Sequence, residues 1–239
     1  MECILFPKND YAGAFALLQR LRDLFGKPAL SQEDTLRLDS IRNSRQFLEN
    51  AGNEDWAEQF LSSAEATVTF EFNPSPHAGS DTGANAGTDT RVLELVNKTN
   101  QFNLNGRRFT AAEWNQLTSA PGAIVAAIAY QDKFGPLGKI AVICGQQHDG
   151  TLTINAWVMS CRAFSRRIEY QVLKQTFART GVQQINFEYL ATPKNGPIGD
   201  FLKSILGTDK ALPPCPSITS EAFAAKCPKL YHQVAFNTE

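Results

Sequence analysis

Two apolar runs, Lys139 to Gly145 and Thr151 to Ser160, are joined through His148-Asp149-Gly150. Asp-Gly between two strand-like runs favours a tight turn with both central residues at positive φ, the geometry of an antiparallel hairpin. That feature limits the chain most, because a hairpin needs neighbouring strands and covering helices to bury its faces. The flanking sequence supplies both. Ala66 to Phe72 alternates, with Val68, Phe70 and Phe72 set against Thr69 and Glu71, and Ala123 to Tyr130 reads as a buried strand. Gln183 to Leu190 and Tyr231 to Phe236 read as further strands. Helices are expected over Arg91–Asn100, from the capping box Thr110-Ala111-Ala112-Glu113 through Leu117, over Arg166–Thr180 and over Ile198–Leu206. The order from Ala66 is β-α-α-β-β-β-α-β-α-β. The fold class this predicts is α+β: a mixed, mostly antiparallel sheet with helices on its faces.

Upstream the pattern is helical. Phe15, Leu18, Leu21 and Phe25 recur at helical spacing and the run stops at Gly26 and Pro28. Ser31 opens a second helix carrying Leu36, Leu38, Ile41, Phe47 and Leu48, and a short amphipathic stretch holds Trp56, Phe60 and Leu61. Residues 1–62 are thus expected as a helical segment and 63–239 as the sheet domain. Within the latter, 73–90 contains no large apolar residue and reads as a mobile loop.

Composition narrows the function. The 239 residues carry 23 Lys+Arg and 24 Asp+Glu, a formal net charge of -1. That balance argues against a general nucleic-acid binder, which needs a basic face for phosphates. The longest apolar run, Ala123 to Ala129, is far short of the ~20 residues of a membrane span. No signal-peptide pattern is visible, five irregularly spaced Cys do not make a disulfide framework, and no CxxC pair suggests zinc. The expectation is a cytoplasmic protein with no metal and no tightly bound cofactor.

Several separate words carry a resemblance. Asn97-Lys98-Thr99-Asn100-Gln101-Phe102-Asn103-Leu104, followed by Arg107-Arg108-Phe109-Thr110, resembles the KTNQFN-x-x-x-RR-[YF]-[ST] signature of FkbH-like proteins. Asp132-Lys133-Phe134-Gly135 with Gly138, Met159-Ser160-Cys161-Arg162 and Tyr189-Leu190-Ala191-Thr192-Pro193-Lys194-Asn195 match further blocks in order. The match spans Phe60 to Gly207, the half of those proteins that looks like a GNAT acyltransferase. Residues Ile4 to Leu48 resemble the tail of the haloacid-dehalogenase-type phosphatase half that precedes it. No Asp-x-Asp occurs anywhere, so phosphatase chemistry is not expected.

The resemblance implies an acyltransferase of polyketide-type biosynthesis. It would move a glyceryl or similar short acyl group through a cysteine thioester to the phosphopantetheine of an acyl carrier protein. Cys161 is the implied acyl acceptor, and Arg162, Arg166 and Arg167 beside it would favour a thiolate; a buried structural cysteine is the competing reading. Asp132 is the candidate general base. His148, in the hairpin turn, and His232, on the last strand, are weaker candidates. Lys98, Asn100, Gln101, Asn103 and Arg107 suit recognition of a hydroxylated substrate, since Asn and Gln bond hydroxyls without titrating; helix capping is the structural alternative. Arg107 and Arg108 also fit a phosphate or the acidic face of a carrier. Arg162, Arg166, Arg167, Lys194 and Asn195 are the candidate contacts to phosphopantetheine or coenzyme A, the thioester co-substrate. Relatives carry Gly-Arg-Gly at 165–167, where this chain has Ser165-Arg166-Arg167. Two alternatives stay open: a GNAT N- or O-acyltransferase using acyl-CoA directly, and a non-catalytic carrier-docking domain.

Overall fold

A computed structural model describes residues 5–25, 54–73 and 90–237. The second expected helix, from Ser31 to Leu48, and most of the expected mobile loop lie outside the described residues. The elements, in chain order, are α1 (Tyr11–Phe25), α2 (Glu54–Ser63), β1 (Thr67–Phe72), α3 (Thr90–Lys98), β2 (Phe102–Asn103), α4 (Ala111–Thr118), β3 (Ala123–Asp132), β4 (Gly135–His148) and β5 (Thr151–Met159). A 3-10 turn (Cys161–Ala163) follows, then α5 (Ile168–Thr180), β6 (Gln184–Phe187), α6 (Gly196–Leu206), β7 (Ser217–Thr219), α7 (Ser220–Lys226) and β8 (Gln233–Phe236).

The strands form one sheet in the order β7-β6-β5-β4-β3-β1-β8, with β2 added alongside β5. β1/β8 and β5/β6 are parallel; the other pairs are antiparallel. The expected hairpin is present: Asp149 (φ 48°) and Gly150 (φ 74°) make its turn. α3 and α4 cover one face through Val92, Leu95, Val96 and Trp114, packed on Val125, Ala127, Val142, Cys144, Ala156 and Val158. α5, α6 and α7 cover the other through Val172, Leu173, Phe201, Leu202 and Phe223, packed on Ile128, Ile143, Trp157 and Ile185. The mixed, mostly antiparallel sheet between two helical layers is therefore as the strand and helix patterns predict.

Simple alternation fails in the middle of β5. Cys144 faces Ala156 but Gly145 faces Ile154, so Asn155 is an extra residue without an opposite partner. This β-bulge puts Leu152 and Ile154 in the same core cluster as Trp157 and Met159. Gly145 is required there: a Cβ on it would sit 2.5 Å from the Thr153 carbonyl oxygen.

On and before the N-terminal helix, Phe15 and Leu18 are exposed, as are Leu5, Phe6 and Tyr11. α2, by contrast, packs on the sheet domain, with Leu61 buried and Phe60 stacked on Phe134 at 5.7 Å. Among the described helices none is long and apolar enough to cross a membrane.

Candidate functional site

β5 and β6 pair only from Thr151 to Ile154; β6 stops at Phe187 while β5 continues to Met159. The strand expected to reach Leu190 is short because another segment takes its place. β2 pairs with Met159 and Val158, and Leu104 N–H donates to the Trp157 carbonyl at 2.9 Å. On its far side Leu190 N–H donates to the Leu104 carbonyl at 3.2 Å. The split between the two parallel strands is thus filled by residues 102–104 of the chain itself. This brings three of the sequence words together at one end of β5: Lys98–Asn103, Met159–Arg162 and Thr192–Asn195.

Most of the polar groups in those words are occupied with backbone. Asn97 bonds the Phe109 carbonyl and N–H at 2.8 and 2.9 Å. Asn103 donates to the Thr99 carbonyl and accepts from the N–H groups of Asn105 and Gly106. Asn195 donates to the carbonyls of Asn103 and Leu190, each at 2.9 Å, and accepts from Thr192 N–H at 2.7 Å. Asn103 and Asn195 are 2% and 1% exposed. Asn103, expected as a substrate contact, and Asn195, expected as a phosphopantetheine or coenzyme A contact, instead fix β2 in the split and are buried. Lys98 pairs with Glu94, and Asn100 accepts from Arg108. Gln101 and Lys194 are exposed, and the exposed Arg107 guanidinium lies 4.7 Å from the Phe109 ring centroid.

Beyond β5, Ser160 N–H still donates to the Ile140 carbonyl at 2.7 Å. The chain then turns: Ala163 N–H reaches Ser160 O and Phe164 N–H reaches Cys161 O. This 3-10 turn carries Cys161 out of the strand and exposes it. The expected buried alternative therefore fails. Cys144, by contrast, is buried on the sheet, and burial pushes its thiol up to about 12. Arg162, half-buried, directs Nε to Ser160 Oγ at 3.4 Å.

Helix α5 starts two residues later than expected. Ser165 (φ 64°) and Arg167 (φ 57°) are both left-handed, which no helix continues through. Ser165 and Arg167 thus follow a backbone path that glycine adopts most readily.

The two arginines there have different fates. Arg166, expected as a phosphate contact, points inward and is 4% exposed. Its Nη1 donates to Arg162 O at 2.8 Å, its Nε lies 3.7 Å from Asp132 Oδ2, and its guanidinium lies 5.5 Å from the Tyr130 ring centroid. Asp132, expected as a general base, is the other half of this buried pair. It accepts from Tyr130 OH at 3.0 Å and Phe134 N–H at 2.9 Å. Neither group is presented to solvent in this arrangement. Arg167 reaches outward, to the Glu58 carboxylate of α2 and the Lys229 carbonyl. Tyr231 OH donates to the same carboxylate at 2.8 Å. Hydrogen bonds from Arg167 and then Tyr231 hold the Glu58 carboxyl below the usual range.

Two more ionisable groups sit beside this junction. Burial pushes the Glu169 carboxyl up to about 7. Burial lowers the His232 imidazole, whose ring stands edge-on to Tyr130 at 6.2 Å. His148 is exposed and pairs with Asp149. Glu58 and Tyr231 were not found from sequence, since no spacing pattern links positions 58, 167 and 231. β2, β7 and α7 were missed too. Thr219, whose hydroxyl accepts from Ala222 N–H, is the cap that would have marked α7.

Among the described residues, no three His, Cys, Asp or Glu converge as a metal centre. No protein-family model and no curated protein matches the chain. Two solved structures are similar to it at 10% identity. One is a domain from Methanocaldococcus jannaschii, covering 64% of this chain and 99% of its own at a TM-score of 0.40. The other is a KacTA–DNA complex, covering 66% and 97% at a TM-score of 0.36.

Proposed function

We propose that this chain is a GNAT-type acyltransferase of the FkbH-like kind, passing a short acyl group through a thioester on Cys161 to the thiol of a carrier's phosphopantetheine arm. The observation that carries the reading is the exposed Cys161 thiol on the turn leaving β5, past the point where β6 has diverged. In the first step Cys161 Sγ attacks the carbonyl carbon of an incoming thioester. The old C–S bond breaks, and the leaving thiolate takes the proton that Cys161 gives up. In the second step the carrier thiol repeats the exchange and Cys161 recovers its proton. One thioester replaces another, so no oxidant or nucleotide is consumed. Arg162 and Lys194 are the cations suited to the arm's phosphate, while Arg167 is held by Glu58 and the Lys229 carbonyl. Arg166 is better read as the buried support of the turn.

Direct use of acyl-CoA in the split beside β5 fits less well. The backbone there is already paired with β2 and Leu104. The test is transfer from a glyceryl pantetheine thioester to a holo acyl carrier protein. Cys161→Ala should abolish transfer while Cys215→Ala, the other exposed described cysteine, leaves it intact. Equal transfer by Cys161→Ala, with tight coenzyme A binding by calorimetry, would support the direct mechanism instead.

A further inference from the structure

A groove of about 600 Å³ lies between α5 and α7. Its walls come from Lys174, Phe177 and Ala178 on α5 and from Ser220, Phe223, Ala224 and Cys227 on and just after α7; Pro228, Lys229 and Leu230 close one end. The spacings are helical, i, i+3, i+4 on one side and i, i+3, i+4, i+7 on the other. Such a trough, between two helix ridges, is shaped for a third helix. Phe177 and Phe223, 5.6 Å apart, make a floor that the core already uses. Ala178 and Ala224 are exposed and small, and they leave the hollow above it.

The charge is one-sided. Lys174 and Lys229 are exposed on the two rims, and no carboxylate is among the described residues that line the groove. In a molecule with a net charge of -1, two lysines beside an apolar trough that no described carboxylate lines are a local selection for an acidic partner.

We infer that this groove docks an acidic amphipathic helix of a partner protein, its apolar stripe seated over Ala178 and Ala224 and its carboxylates on Lys174 and Lys229. The groove also adjoins the candidate site. The Lys229 carbonyl at its end accepts a hydrogen bond from Arg167 at 2.9 Å, and Arg167 is the residue at the start of the helix that follows the Cys161 turn. A partner helix seated here is therefore next to the turn that takes the acyl group. Identifying that partner as the acyl carrier rests on the function proposed above.

The test uses the full chain and a holo acyl carrier protein titrated by calorimetry at low and high salt. Lys174→Glu and Ala224→Trp both change exposed residues, so folding is not at stake; circular dichroism checks it. The expected result is at least a tenfold loss of affinity for each variant, a loss of affinity in high salt for the parent, and unchanged binding for Cys161→Ala. Binding that is unaffected by both groove variants overturns the docking site. So does the absence of any carrier binding by the parent. Acyl labelling by a small pantetheine thioester, which needs no docking, is measured in parallel. Its loss on Cys161→Ala with no effect of the groove variants on carrier binding refutes the groove alone; labelling that persists in Cys161→Ala refutes the cysteine role instead.

Discussion

Ser165 shows how a single residue records a constraint. Its φ of 64° places a Cβ in the left-handed region, at a cost of roughly 1 kcal/mol against glycine. Ser165→Gly is expected to raise stability by up to about 1 kcal/mol, read by denaturant titration. Arg167→Gly relieves the same strain but loses the Glu58 and Lys229 bonds, so its gain should be smaller or reversed. Asp132→Asn separates a structural from a catalytic role. With Arg166 left as an uncompensated buried cation, a loss of about 3–5 kcal/mol is expected. A variant that kept its stability and lost only activity would point to a base. Glu169 and His232 give opposite pH slopes. The Glu169 carboxyl is raised from 4.5 to about 7, so its contribution to stability is full below pH 4.5 and is lost as pH rises through 7. The His232 pKa is lowered from 6.5, so its contribution is full above that value and is lost as pH falls through the folded pKa. Glu169→Gln should therefore raise the melting temperature more at pH 8 than at pH 5.

At the scale of elements, what was legible depended on periodicity. β1, β3, β4, β5, α3, α5 and α6 declare themselves by alternation or helical spacing, and all are present within a few residues. β2 does not, because two residues carry no period; its strand character comes from the edge of β5 that the β6 divergence leaves open. The Asn155 bulge was equally hidden, since it is a mismatch between two strands and belongs to neither alone. The polar word around Asn103 was visible, but its work was not. A sequence shows amides; only the fold shows them bonded to Thr99, Asn105 and Gly106. Asn103→Ala should cost about 1–3 kcal/mol by orphaning those backbone groups, measurable as a lower denaturation midpoint. Gly145→Ala should be at least as damaging, because its Cβ meets backbone.

For the molecule as a whole, the sheet is the frame and one of its ends gathers the candidate site. One end gathers the Cys161 turn, the Asp132–Arg166 pair and the Glu58–Arg167–Tyr231 clamp, from segments more than a hundred residues apart in sequence. The clamp ties α2 and the C-terminal strand to the turn. Truncation before Lys229 removes Tyr231 and β8 and leaves the outer edge of β1 unpaired. Lower thermal stability and concentration-dependent association are expected, by scanning calorimetry and light scattering. The exposed stripe of α1 lies at the other extreme: its spacing was legible, its covering was not, because a helical period says which face is apolar and nothing of what meets it.

The exposed thiol at Cys161 is the centre of this account. The most direct measurement is peptide-mapped mass spectrometry after incubating the intact protein with a glyceryl pantetheine thioester. The expected result is one acyl group on the Cys161 peptide, released by hydroxylamine and absent in Cys161→Ala. An acyl group found only on another residue, or none on a protein that still transfers it to a carrier, would contradict the covalent route.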